Sequence, residues 1–259
     1  MFRIVIPARY GSSRLPGKPL LLIGGRPMLQ WVHERALASG AATVVIATDD
    51  DRIAEAASAF GATVQFTSLT HVSGTDRIAE VALQAGWGQD EVIVNLQGDE
   101  PMMPSSLLRQ VAQLLQQQES ADIATLATRI TGVAAFMDPN TVKVVTDSKG
   151  RALYFSRAPI PWGRDTAPAG MASQRGFAAA RRHIGLYAYR VAALRRLSLL
   201  QPSPLELVEK LEQLRALENG MEIRVADATE SPGLDVNTAE DLARVALLLG
   251  AGESQMESR

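Results

Sequence analysis

A chain of 259 residues with 46% hydrophobic and 21% charged residues suits one large soluble domain, or one with a modest insertion, rather than a disordered polypeptide. Its formal net charge of −2 argues against a broadly basic nucleic-acid surface, so any anion site has to be local. Without cysteine there is no disulfide scaffold, thiolate zinc site or cysteine nucleophile, and no apolar run is long enough for a bilayer. The opening FRIVIPA is too short and too soon broken for a signal peptide, so a cytoplasmic enzyme or binding protein is expected.

In chain order, the apolar run RIVIPA predicts a first strand that breaks at Pro7 into a small-residue loop carrying Arg9, Arg14 and Lys18. A helix follows from Pro27 to Gly40, with proline at its start and glycine just past its end. TVVIAT predicts a second strand, and Asp50 or Asp51 caps the helix that Gly61 ends. TVQFTS, the helix SGTDRIAEVALQAG, the strand EVIVNLQ and the helix PSSLLRQVAQLLQQQ continue the alternation. Such βα grammar implies a Rossmann-like α/β fold, a mainly parallel sheet flanked by helices on both faces, with ligands outside the carboxyl ends of the strands.

The second half is less regular. TVKVVTDSKGRALYFSRAPIP predicts two strands joined at a Ser-Lys-Gly turn, then a Pro-, Gly- and Arg-rich region over residues 159–182 that reads as an insertion or lid. HIGLYAYR predicts a strand, residues 204–219 a helix, EIRVAD a strand, LDVN a last strand, and residue 238 onward a final helix. The expected organisation is one domain over 1–249 with a disordered tail at 250–259.

The stretch VIPARYGSSRLPGKPL carries the functional question. A P-loop needs four residues between its first glycine and the Gly-Lys pair, then Ser or Thr; here five separate Gly11 from Gly17, and Pro19 stands at the hydroxyl position. A dinucleotide site would use the acids Asp49, Asp50 and Asp51, but no G-x-G-x-x-G is present and a helix N-terminus favours the same acids. What remains is a loop whose amides, two arginines and lysine converge at a strand's carboxyl end. Guanidinium groups grip phosphate oxygens in pairs, while lysine supplies a mobile charge, which suits a triphosphate losing diphosphate. A solvated basic loop is the alternative. None of His33, His71 and His183 lies in H-E-x-x-H, and no serine lies in G-x-S-x-G.

IPARYGSSRLPGKPL resembles the signature loop of the sugar nucleotidyltransferases, and in detail that of the 3-deoxy-manno-octulosonate (Kdo) cytidylyltransferase family. The resemblance extends in order through HVSGTDRIAE, VIVNLQGDEPM, NTVKVV, ALYFSRAPIPW, RHIGLYAYR and SPLELVEKLEQLRALENG, nearly the whole chain. It implies transfer of CMP from CTP to Kdo, a mainly CTP-binding half at 1–130 and a sugar-binding and dimerisation half at 140–225, Mg2+ as cofactor, a homodimer with residues 150–190 as candidate interface, and a place in lipopolysaccharide synthesis. Neither nucleic acid nor membrane is an implied partner.

The resemblance also implies roles. Pro7, Ala8, Arg9, Arg14 and Lys18 would hold the triphosphate, with Arg14, Lys18 and Asp99 catalytic. Ser73, Gly74, Arg77 and Gln97 would place the cytidine, although Ser73 or Thr75 also suits a helix cap and Arg77 an exposed cation. Arg157, His183, Tyr187, Glu212 and Gln213 would receive the sugar acid. Asp99 would hold the metal, a hard cation that prefers oxygen and can neutralise phosphate charge; a turn acid between Gly98 and Pro101 is the alternative. The family form G-V-D-T-P-E-D-L reads LDVNTAEDL here, so Asn237 stands where an aspartate is expected, and Asp235 or Asn237 would complete the metal site. The same chemistry on 8-amino-Kdo or a sialic acid, and a silent CTP-binding paralogue, are the rival readings.

Overall fold

The computed structural model describes residues 1–11, 15–71, 73–166 and 174–256. Strand β1 (Phe2–Ala8) leads through a small hairpin, β2 (Leu22–Ile23) and β3 (Arg26–Pro27), to α1 (Met28–Ala38), β4 (Thr43–Thr48), α2 (Asp51–Ala59) and β5 (Thr63–Phe66). Then come α3 (Gly74–Gln84), β6 (Val92–Asn95), α4 (Ser105–Gln116), β7 (Ile123–Arg129), α5 (Val133–Met137), β8 (Lys143–Thr146) and β9 (Ala152–Ser156). The chain closes with β10 (Arg181–Arg190), α6 (Val191–Leu199), α7 (Pro204–Glu209), α8 (Gln213–Glu218), β11 (Ile223–Asp227) and α9 (Ala239–Met256). The expected caps form: Asp50 accepts the Arg52 N–H, and Ser73 accepts the Asp76 N–H.

The main sheet runs β11-β7-β10-β6-β1-β4-β5, with the β8–β9 hairpin attached to β10. β10 pairs antiparallel with both β6 and β7, and the other strands of this path run one way. The sheet is therefore mixed, though mainly parallel. Alternation along β1 sets its two faces: Ile4 and Ile6 pack with Leu29, Ile53 and Leu107, whereas Val5 packs with Ile78, Leu194 and Leu214. Helices thus cover both sides, and the crevice between β1 and β6, where connections leave in opposite directions, opens at their carboxyl ends.

Three local expectations change, and one strand appears that no expectation named. The helix predicted over 204–219 is interrupted: Lys210 takes a left-handed φ of 55°, ending α7 before α8 begins. The break turns Leu211 and Leu214 into the core. LDVN forms no strand; it follows Pro232 and Gly233 as a loop that buries Val236 against Trp31 and Val245. The segment from Gly250 is helical in backbone through Met256, carried on from Val245 and Leu249, which are buried one turn apart; residues 257–259 lie outside the described residues. Strand β7, weakly signalled by its alanines, forms because the sheet interior covers both its faces. Among the described residues no helix is long and apolar enough to cross a membrane.

Candidate active site

The crevice holds a cleft of about 410 Å³ lined by the end of β1 (Pro7, Ala8, Arg9), the turn after it (Lys18, Pro19), the start of α3 (Ser73, Gly74, Arg77), the loop after β6 (Gln97, Gly98, Asp99), and His71 and Asn237. The two strand ends meet tightly: a Cβ on Gly98 would lie 3.2 Å from the Pro7 carbonyl oxygen. Lys18 opens a short 3-10 turn, and its Nζ donates to Asp99 Oδ2 at 2.7 Å and to the Val236 carbonyl at 2.9 Å. The Val236 N–H donates to the Asp99 carbonyl at 2.9 Å. Three distant parts of the chain therefore meet at one ammonium.

Asp99 is partly exposed to the cleft, and its neighbour Glu100 is pushed up to about 8 by burial and by the Asp99 charge. At neutral pH Glu100 is mostly protonated, so Asp99 carries the negative charge at this strand end. Asn237 Nδ2 donates to Asp235 Oδ2, which leaves the amide oxygen to accept. Asp235 lines a neighbouring cavity with Glu100 and His183, not the main cleft. These are hard oxygen donors, and no cluster of three or more His, Cys, Asp or Glu that could hold a metal occurs among the described residues. Such a set fits a cation that takes one or two protein oxygens and completes its shell with phosphate.

On the α3 side of the cleft, Ser73 caps the helix and Gly74 lies against Pro7. Arg77 is not an exposed helix cation: it is buried, with its guanidinium on Asp49 Oδ2 at 2.6 Å and on Thr67 Oγ1. Asp49 is thereby engaged by Arg77 and Asp50 by Arg52. His71, which no catalytic motif marks, also lines the cleft, and its Nε2 meets Glu80 Oε2 at 2.5 Å. Its signal was position alone, two residues before the capping serine.

A second cavity of about 180 Å³ shares Gly74 and Gln97 with the lining of the cleft and brings together Tyr187, Glu212 and Gln213 with Thr75, Asn95 and Tyr189. Gln97 Nε2 donates to Asn95 Oδ1 at 3.0 Å, which ties the shared wall to β6. Burial raises the Glu212 carboxyl above its ordinary range, opposed by a hydrogen bond with Thr75. Arg157 lines neither cavity: its Nε donates to the Glu209 carbonyl at 2.7 Å and its Nη1 to the Pro139 carbonyl. Arg14 and residues 167–173 of the expected lid lie outside the described residues.

His183 is buried beside Tyr187, with ring centroids 5.2 Å apart. Its Nε2 lies 3.0 Å from Thr125 Oγ1, which also lies 3.0 Å from the Ile184 carbonyl and 2.8 Å from the Leu186 carbonyl. Because the single hydroxyl proton goes to a carbonyl, the imidazole donates from Nε2. Burial, then the Arg182 charge, lowers His183 from 6.5 to about 3. The unfolded chain takes up this proton below pH 6.5 and the folded chain does not until about pH 3. Stability therefore falls on acidification through that window, by about 1.4 kcal/mol per pH unit for this group. Urea unfolding of wild type and His183→Gln at pH 7 and pH 5 should show wild type losing about 2 kcal/mol more than the variant; equal losses would mean that the folded site admits the proton.

Cations and a carboxylate in a cleft at the carboxyl ends of a doubly covered sheet, beside a second cavity with polar groups, suit a nucleotide-using transferase. The chain belongs to the cytidylyltransferase family, whose model matches residues 3–223. The 3-deoxy-manno-octulosonate cytidylyltransferase of Thioalkalivibrio sulfidiphilus is 54% identical over 250 residues, covering 96% of this chain and 99% of that protein. That of Idiomarina loihiensis is 53% identical, covering 97% and 99%. A solved structure of CMP:2-keto-3-deoxy-manno-octonic acid synthetase complexed with CTP matches at a TM-score of 0.86 and 42% identity, covering 97% of this chain and 100% of that one.

Proposed function

We propose that this chain catalyses CTP + Kdo → CMP-Kdo + diphosphate. The observation that carries the reading is the adjacency of two cavities: a cleft with Lys18 and Asp99 shares Gln97 and Gly74 with a cavity that holds Tyr187, Glu212 and Gln213. The sugar's anomeric hydroxyl oxygen attacks the α-phosphorus, the bond to the β-phosphate oxygen breaks, and the hydroxyl proton is released. No covalent enzyme intermediate is needed. Alignment and charge compensation supply the catalysis.

In this reading Lys18 takes up the negative charge that grows on the leaving diphosphate, with Arg9, Arg14 and the amides of Pro7's neighbours along the same wall. Gln97 stands between nucleotide and sugar. Asp99 and the Asn237 amide oxygen would hold magnesium, with Asp235 orienting that amide through its N–H. Bound there, magnesium would neutralise the α-phosphate charge that shields phosphorus from attack. Tyr187, Glu212 and Gln213 would read sugar hydroxyls; His183 acts from behind Tyr187, and Arg157 would have to leave the Glu209 carbonyl to reach a carboxylate. The finer reading includes a homodimer, supported by the exposed Leu153 and Trp162 in its candidate interface, and a cytoplasmic role in lipopolysaccharide synthesis.

Diphosphate release from CTP and magnesium, with Kdo, 8-amino-Kdo or sialic acid supplied in parallel, tests the reading. Release with Kdo in preference to the others is expected. Release only with another acceptor would keep the transfer chemistry and replace the sugar. CTP binding without release from any acceptor would make the chain a silent nucleotide-binding protein.

A further inference from the structure

Lys18 is held in the cleft from behind as well as from in front. The Gly17 N–H donates to the Tyr10 carbonyl at 3.0 Å, closing the loop that begins where β1 ends. Gly17 has a φ of 67°, and a Cβ there would lie 3.0 Å from Tyr10 Cε2 and Cζ and 3.1 Å from Oη, so the phenol rests against the backbone that turns into Lys18. Tyr10 does not line the cleft. The Arg52 guanidinium covers its ring, with Cζ 3.3 Å from the centroid. Arg52 is in turn held by Asp50: Nε reaches Oδ1 at 3.0 Å and Nη2 reaches Oδ2 at 2.6 Å. Asp50 is itself fixed as the cap of α2 through the Arg52 N–H.

This is a continuous strut, Asp50–Arg52–Tyr10–Gly17–Lys18, running from the N-terminus of α2 to the ammonium beside Asp99. An exposed cation stacked on a half-buried ring contributes little to global stability. Its geometric effect is larger, because an ammonium displaced by about 1 Å loses much of its interaction with charge developing on the phosphates. We propose that Tyr10 and Arg52 are positioning residues for Lys18: they fix the ammonium for the transfer step without touching substrate. The proposal rests on the transferase reading for its kinetic consequence and on the geometry alone for its structural one.

The test pairs two readouts on the full chain. Lys18 acylation by an amine-reactive ester, followed by mass spectrometry with the exposed Lys149 as internal reference, needs no turnover. Tyr10→Ala should raise the Lys18/Lys149 acylation ratio several-fold, lower kcat about 10- to 100-fold and change KM for CTP less. Tyr10→Phe keeps the ring and should stay within about threefold of wild type. Arg52→Ala, at an exposed position where folding is not at risk, should shift both readouts in the same direction by about threefold, and Arg52→Lys should recover part of the shift. An unchanged acylation ratio in both Tyr10→Ala and Arg52→Ala overturns the proposal, even if activity falls. A wild-type protein that releases no diphosphate refutes the transferase reading instead, and the acylation ratio still decides whether the strut holds Lys18.

Discussion

Asp99→Asn should lower turnover with CTP, Kdo and magnesium by about 10²- to 10³-fold while leaving CTP affinity within about tenfold. The side chain keeps its shape and can still accept from Lys18, so the ion pair becomes a neutral acceptor's hydrogen bond rather than a hole. The pair is only partly exposed, but the hydrogen bond is retained, so the stability change should stay within about 1–2 kcal/mol. What the variant lacks is charge. Glu100 is largely protonated at neutral pH and cannot replace it, and Asp235 faces the neighbouring cavity. The deficit should be greatest at low magnesium and only partly relieved by saturation. Steady-state kinetics across a magnesium series, with calorimetric CTP binding, would measure both; wild-type turnover at limiting magnesium would remove Asp99 from the chemistry.

Lys18→Met should reduce kcat by about 10²-fold. Methionine keeps the length and the apolar stem, so packing against the strand ends is largely preserved, and only the ammonium is lost from Asp99 and the Val236 carbonyl. Lys18→Arg should restore charge without restoring rate: a planar fork is wider than an ammonium, and the two acceptors here lie 2.7 and 2.9 Å from one nitrogen. Presteady-state mixing would separate chemistry from product release. Full activity in Lys18→Met would mean that the loop binds phosphate without assisting its transfer.

The nucleotide half was legible because its signals are local. Continuous apolar strands, Asp50 and Ser73 as caps, and a cation-rich turn after β1 each occupy a few adjacent residues, and β1 and β6 bring their products together. The remainder was set by tertiary context. Lys210 breaks a helix with no glycine or proline to announce it, and Glu212 and Gln213, just past the break, line the second cavity. LDVN alternates like a strand, yet the sheet edge is already formed by β11, and Val236 is drawn instead under α9. Arg77 looked like surface charge because Asp49, its partner, lies 28 residues away. Arg157 was placed with the sugar by resemblance, and its guanidinium is occupied by two backbone carbonyls that no local pattern could foretell.

The bond from Lys18 to the Val236 carbonyl spans 218 positions. A chain emerging from the ribosome can form β1, β4, β5 and β6 and close the crevice between them long before residue 236 has been made. Until then Lys18 lacks one of its two acceptors and Asp99 lacks the amide that fastens its carbonyl. Nascent chains stalled before residue 236 should therefore be unable to hold nucleotide tightly, so that competence for chemistry arrives only with the segment that carries Val236.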